Sequence, residues 1–386
     1  MKTIALIVGT RPEAIKMAPV YRALAASGTL KPVLVSTGQH REMLQQTLRA
    51  FELRPDVDLD LMQHNQTLPD LTARVLTAMT RWLAEALPAA VLTQGDTTTA
   101  FAAALAAFYA RIPVGHVEAG LRTYDFEAPW PEEMNRRLAD PIARWCYAPT
   151  ELSRENLLAE RIPAAQIFVT GNTVVDALLW MRDRQRVVTN DAAARAVSIG
   201  VPTEFARKFF APVPIRWLLV TGHRRESFGQ GFENICRALA QLADRYPDLG
   251  ILYPVHLNPN VQEPVRRLLG DHARIALIPP LGYEDFVWAM DRAHFIISDS
   301  GGVQEEAPSL GKPVLVMRST TERPEGVTAG TSRLVGTDEA AILREAALLL
   351  DDPAAYAERS RLRNPYGDGQ ASARIAAQLE TALSPT

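Results

Sequence analysis

Apolar and polar positions along this chain follow two rhythms. Short runs rich in Val, Ile and Leu recur at residues 3–8, 32–36, 90–93, 114–117 and 167–170. Between them lie longer stretches with helical spacing, among them 68–87 and 98–109. A strand with one wet face would alternate apolar and polar residues. Uninterrupted apolar strands separated by helices instead predict parallel sheets covered on both faces. The pattern breaks over 184–213, where an alanine cluster and Pro202, Pro212 and Pro214 intervene. That segment predicts an interdomain region carrying some helix. The alternation then resumes at 217–221, 251–255, 274–278, 295–298 and 313–316, and 370–383 has helical spacing. The fold class is therefore α/β: two doubly wound, Rossmann-like domains. The expected boundaries are 1–180 and 181–369, with the terminal helix within 370–386 packing back on the first domain. In such sheets, ligands bind beyond the carboxyl ends of the strands, which predicts an active site in a cleft between the two domains.

Composition narrows the function classes. The chain has 386 residues and a formal net charge of −3, without the basic excess of a general nucleic-acid binder. Cys146 and Cys236 are the only two cysteines, and no Cys/His group has metal-ligand spacing. The apolar run at the start meets Arg11 and Glu13 too early for a signal peptide. The longest apolar run, 100–110, is about half what a bilayer requires. A cytoplasmic, reducing compartment is expected, without metal, membrane or nucleic-acid partners.

The residues just after each strand carry the candidate chemistry. Gly9-Thr10-Arg11-Pro12 opens a helix that also bears Lys16, and a helix start flanked by cations suits an anion. Asp96 precedes a helix and reads either as its N-cap or as a carboxylate facing the ligand. Glu118 ends an apolar strand, with Arg122 within salt-bridge reach in sequence. Glu132 follows Pro131 as an ordinary helix start would. Together, Asp96, Glu118 and Glu132 point to acid–base work or to metal binding, and the lack of nearby His ligands weakens the metal reading. In the second half, His223 follows a strand-end glycine, and His256 ends the next strand. Ser300-Gly301-Gly302 between a strand and a helix suits a diphosphate through exposed backbone N–H groups, unless the glycines serve packing alone. Glu306, one turn on, suits a ribose diol, and Arg323 adds an anion contact.

Taken in order, GTRPEAIKMAP, TGQHREML, GDTTT, PVGHVEAGLRT, PWPEEMNRR, GNTVVDAL, TGHRRESFG, PVHLNPNV, SDSGGVQEEAPSLGKPVLVMR and TERPE resemble the non-hydrolysing UDP-N-acetylglucosamine 2-epimerases over almost the whole chain. The resemblance implies a GT-B-like fold and a homodimer. It implies reversible conversion of UDP-GlcNAc to UDP-ManNAc, with no cofactor, for cell-surface polysaccharide precursors. It implies substrate contacts at Arg11, Lys16, Asp96, Glu118, His223, Phe286, Ser300, Gly301, Gly302, Glu306 and Arg323. The acid–base set would be Asp96, Glu118, Glu132 and His223. A second UDP-GlcNAc acting as activator would fall near Gln39, Arg224 and His256. The rival readings are a GT-B glycosyltransferase using a UDP-sugar, a hydrolysing epimerase releasing UDP and ManNAc, and a non-catalytic UDP-sugar sensor.

Overall fold

A computed structural model describes residues 1–38, 41–63, 66–188, 191–211 and 215–384, the side chains of 41–43 and 187–188 aside. The chain divides into two compact units, Met1–Trp180 with Tyr366–Thr386, and Met181–Pro365. Each is a Rossmann-like α/β unit, the domain type of the GT-B-like class.

The first unit contains β1 (Lys2–Val8), β2 (Leu30–Ser36), β3 (Val57–Asp58), β4 (Ala90–Gln94), β5 (Val114–Val117), β6 (Trp145–Ala148) and β7 (Ile167–Val169). They form one parallel sheet in the order β3-β2-β1-β4-β5-β6-β7. Successive side chains of a strand point to opposite faces, and here both faces are covered. Ile4, Leu6 and Val8 pack with Met17, Val20 and Leu24 of helix Arg11–Ala26. Ala5 and Ile7 pack with Leu71, Val75 and Met79 of helix Leu68–Ala86. That double cover is why β1 reads as an unbroken apolar run. The return of the chain to this unit begins at Tyr366, whose carbonyl accepts from Asn172 N at 2.7 Å. It precedes the terminal helix Ala371–Leu383, which places Ile375 and Leu379 in the core. Asp176 caps that helix, accepting from Ser372 N at 2.8 Å and Ala371 N at 3.2 Å.

The second unit contains β8 (Trp217–Thr221), β9 (Gly250–Pro254), β10 (Ile275–Ile278), β11 (Ile296–Ser298), β12 (Val314–Val316) and β13 (Ser332–Leu334). Their order is β10-β9-β8-β11-β12-β13, again all parallel. The segment over 184–213, expected to be an interdomain region carrying some helix, lies within this unit. Its helices Ala192–Ser198 and Thr203–Phe209 bury Phe205, Phe209 and Phe210. Phe210 stacks on Trp288 at 5.3 Å, and a Cβ at Gly250 would lie 2.8 Å from the Phe209 ring. Burying three phenylalanines contributes roughly 4–9 kcal/mol, more than a tether requires.

The order of each sheet locates the ligand-binding edge. In unit 1 it reverses between β1 and β4, and in unit 2 between β8 and β11. At such a switch point the loops after adjacent strands diverge and leave a crevice beyond their carboxyl ends. The loops concerned start at Gly9 and Gly95 in the first unit, and at Gly222 and Asp299 in the second.

Candidate active site

The loop after β1 is built around a carboxylate. Glu13 is 1% exposed. Its Oε2 accepts from Gly9 N and Thr10 N, both at 2.7 Å, and from Thr10 Oγ1 at 2.9 Å. Its Oε1 accepts from Thr97 Oγ1, on the loop after β4. Burial pushes its pKa up, against the hydrogen bonds from Thr97, Gly9 and Thr10. Glu13 therefore fastens the two loops of the switch point together. Sequence reasoning missed it, although Thr10-x-x-Glu13 is a capping-box pattern. Gly9 is needed for closeness, since a Cβ there would lie 2.5 Å from Thr37 Oγ1 and 2.9 Å from Thr99 Oγ1. Arg11 is the first residue of the helix and half-buried, and Lys16 lies one turn further on.

Asp96 is not the N-cap of the helix that follows it. That role falls to Thr97, whose side chain accepts from Ala100 N at 3.0 Å. This leaves the Asp96 carboxylate for other partners. Its Oδ2 pairs with Arg136 Nη2 at 2.9 Å, and its carbonyl accepts from Asn135 Nδ2 at 2.9 Å. Nor does Glu118 pair with Arg122. The Glu118 carboxylate takes Lys16 Nζ and Gln94 Nε2, with Asn172 Nδ2 at 3.1 Å. Arg122 instead bridges Asp140 at 2.7 Å and Glu160 at 2.6 Å. Glu118 has φ 67°, a left-handed backbone that costs a residue with a Cβ on the order of 1–3 kcal/mol. Surrounding contacts hold it there, with Glu118 N donating to Tyr147 O at 3.0 Å. A Cβ on Gly95 would lie 3.5 Å from Glu118 Oε2, so the carboxylate stands beside the Gly95–Asp96 turn.

Glu132 begins helix Glu132–Ile142 and is half-exposed. Its neighbour Glu133 is fully buried and serves the chain, accepting from Thr123 N and Tyr124 N at 3.0 Å each. One turn on, the same helix supplies Asn135 and Arg136 to Asp96, and further along it supplies Asp140. Asp140 meets His116 of β5, with Nδ1 and Oδ1 2.5 Å apart, and His116 Nε2 lies 2.7 Å from Gly95 O. Both residues are 0% exposed.

In the second unit the loop after β8 is clamped by the loop after β11. Asp299 Oδ2 accepts from His223 N at 2.6 Å and Arg224 N at 2.7 Å, and Oδ1 lies 3.2 Å from His223 Nδ1. Burial works against the Asp299 carboxylate, but His223 and these backbone donors outweigh it and hold its pKa low. The exposed His223 ring stacks on His256 at 5.4 Å. Burial, with His223 beside it, keeps the His256 pKa below its ordinary value. Asp299 was not singled out from sequence; its place one residue past a buried apolar strand was the available signal.

Ser300 is the N-cap of helix Gly301–Glu306 without a side-chain cap of its own. Arg323 lies over Gly301, whose Cβ would come 3.0 Å from its Cζ, and Arg323 Nε donates to Glu305 Oε1 at 2.8 Å. Nothing crowds Gly302: a Cβ there would have its nearest neighbours at 3.8 Å, Glu306 Oε2 and Ser300 Oγ. Glu306 is 5% exposed, and its Oε1 accepts from Tyr283 OH at 2.7 Å. Phe286 is half-exposed on helix Tyr283–Arg292. Gln39 lies outside the described residues. Among those described, no three His, Cys, Asp or Glu side chains gather as metal ligands, and no helix is long and apolar enough to cross a membrane. The first unit thus offers carboxylates for proton transfer beside a lysine. The second offers backbone N–H groups, an arginine and a buried carboxylate suited to a nucleotide.

Comparison with known proteins gives this chemistry a context. The family model described as UDP-N-acetylglucosamine 2-epimerase matches residues 22–380. The chain is 55% identical over 375 residues to the UDP-N-acetylglucosamine 2-epimerase of Salmonella typhimurium, covering 97% of each chain. It is 54% identical over 374 residues to that of Escherichia coli K12, again covering 97% of each. Among solved structures, the UDP-GlcNAc 2-epimerase of Neisseria meningitidis bound to UDP-GlcNAc superposes with a TM-score of 0.87 at 46% identity, covering 99% of this chain and 100% of that one. The Methanocaldococcus jannaschii UDP-GlcNAc 2-epimerase in complex with UDP-GlcNAc and UDP gives 0.79 at 32% identity, covering 98% and 99%.

Proposed function

Since the chain belongs to the UDP-N-acetylglucosamine 2-epimerase family, we propose that it inverts C2 of UDP-GlcNAc by the non-hydrolysing route, giving UDP-ManNAc. The hydrogen at C2 is not next to a carbonyl, so simple deprotonation at neutral pH is out of reach. Departure of UDP opens another path. A base takes the C2 proton as the C1–O bond to the diphosphate breaks, leaving 2-acetamidoglucal and UDP. A proton then returns to the opposite face of C2, and the diphosphate oxygen re-forms the bond to C1. No water, oxidant or reductant is consumed.

The chain's residues divide this work. Asp96, Glu118 and Glu132 form the acid–base set, and carboxylates near C1 also favour the cationic character that develops there. The Ser300–Gly302 turn, Arg323, Arg11 and His223 receive the charge of the leaving diphosphate. Glu306 takes the ribose hydroxyls, with Tyr283 orienting it. The observation that carries the reading is the pair Asp96 and Glu118 on adjacent strand ends of one sheet, Asp96 at its switch point and Glu118 one strand further on. A UDP-sugar sensor has no use for that pair beside Lys16. Arg224 and His256 adjoin His223 and are the proposed contacts of an activating second UDP-GlcNAc.

Proton NMR of the purified protein with UDP-GlcNAc in D2O, with no metal or nicotinamide added, tests the proposal. UDP-ManNAc should appear at equilibrium, with deuterium entering C2 of both sugars. Free ManNAc and UDP would indicate hydrolysis. No change until an acceptor is added would indicate a glycosyltransferase, and either result overturns the reading.

A further inference from the structure

His116 has no part in the chemistry described so far, yet it is among the most deliberately placed side chains in the first unit. A carbonyl oxygen only accepts, so the contact with Gly95 O requires a proton on Nε2. Asp140 also accepts from Gly120 N at 3.2 Å and pairs with Arg122, so it is a carboxylate and requires a proton on Nδ1. Both ring nitrogens donate, and the ring is an imidazolium in a site closed to water. Of the charged groups around it, Asp140 favours that charge and Arg122 opposes it. Arg122 pairs with both Asp140 and Glu160, and the Cys146 thiol, kept neutral by burial, donates to the Asp140 carbonyl at 3.7 Å. Burial and the charge of Arg122 would drive the proton off, but Asp140 and the Gly95 carbonyl outweigh them and raise the His116 pKa.

A buried cation is a costly way to fill a β-strand whose other residues are apolar or glycine. What it reaches explains its presence. Gly95 has φ 71°, and the next residue is Asp96. The turn is held by Gly95 N donating to Val117 O at 3.0 Å, and by Asn135 and Arg136 on Asp96 itself. His116 closes the remaining side. It shares β5 with the residues that deliver Glu118, while Asp140 shares its helix with Glu132. We propose that the His116–Asp140 pair is a positioning device for the acid–base set, fixing the Gly95 carbonyl and thereby Asp96 against Glu118 and Glu132. The pair touches no substrate. Its effect is on the step that moves the proton, not on nucleotide binding.

This inference rests on the acid–base reading of Asp96, and the test separates the two. Turnover of UDP-GlcNAc by NMR and UDP affinity by calorimetry are measured for His116→Leu, His116→Gln and Asp96→Asn. His116→Leu removes both donors and should lower kcat on the order of tenfold to a hundredfold, as misplacement of a reacting group by about 1 Å does. KM and the Kd for UDP should stay within about twofold. His116→Gln retains a neutral donor for Gly95 and should recover most of the loss, a rescue that a purely structural role does not predict. Nitrogen-15 spectra of the wild-type ring, which need no variant, should show both nitrogens protonated at pH 7. A neutral ring overturns the proposal. So does wild-type kcat in His116→Leu while Asp96→Asn is inactive. Where His116→Leu does not fold, a loss in His116→Gln as deep as that of Asp96→Asn overturns it. Wild-type turnover in Asp96→Asn removes the underlying reading instead.

Discussion

Gly302→Ala separates the two reasons a glycine can stand at a helix start. If Gly302 served packing within the chain, a methyl group would clash and the unit would lose stability. The geometry argues otherwise, because a Cβ there has only ordinary contacts at 3.8 Å. Within a helix, alanine is favoured over glycine by roughly 0.5–1 kcal/mol, so the variant should melt at or slightly above the wild-type temperature. The space the methyl group enters is where a diphosphate would meet the N–H groups that follow Ser300. Intruding on a fitted contact costs about 1–3 kcal/mol, which is a loss of UDP affinity of about 5- to 150-fold. Thermal melts with and without UDP, together with calorimetric titration, read both effects at once. Gly301→Ala is the internal contrast, since its Cβ would come 3.0 Å from Arg323 Cζ and displace the guanidinium from Glu305. That variant should lose both stability and UDP affinity. Wild-type UDP affinity in Gly302→Ala would refute the reasoning, because the glycine would then be kept for neither ligand nor packing.

Asp96→Asn should bind UDP within about twofold of wild type while kcat falls about 100- to 10,000-fold, the range assigned to a lost acid–base group. Tyr283→Phe removes the hydroxyl that donates to Glu306 at 2.7 Å; UDP affinity should fall roughly 2- to 10-fold, and the preference for UDP over 2′-deoxy-UDP should shrink in the same titrations. Glu322 gives the pH test. Burial alone would raise its pKa, but hydrogen bonding from Arg318 and the charges of Arg323 and Arg318 bring it down to about 2. A carboxylate depressed in the folded state stabilises fully above its unfolded value of 4.5 and loses that contribution as pH falls towards about 2. Urea unfolding from pH 6 to pH 3 should therefore show a shallower decline in Glu322→Gln than in wild type, and equal slopes would count against the pairing.

The parallel sheets and most of their strands were legible because burial on both faces writes itself into every residue of a strand. What escaped was short or carried by other residue types. β3 has two residues, β13 exposes Arg333 in the middle of three, and β6 is Trp-Cys-Tyr-Ala rather than a Val, Ile and Leu run. The segment over 184–213 reads as an interdomain region carrying some helix because prolines hide the rhythm of Phe205, Phe209 and Phe210, which only the sheet they cover makes intelligible.

Around the site, residue types were readable and partnerships were not. Glu118 had an arginine four positions away and pairs instead with Lys16, 102 positions back. The reason is geometric. Arg122 has left the strand end and turned towards Asp140 and Glu160, while Lys16 and Asn172 both reach the Glu118 carboxylate. The same holds for His116, whose ring finds Asp140 because Gly115, His116 and Val117 of β5 lie in register with Trp145, Cys146 and Tyr147 of β6, and because the helix before β6 passes over that pair. A carboxylate set for proton transfer has to be held to within fractions of an ångström. The groups that hold it are strand neighbours and a crossing helix, distant in sequence by construction. Local patterns name the carboxylates, and only the register of the sheet names the groups they pair with.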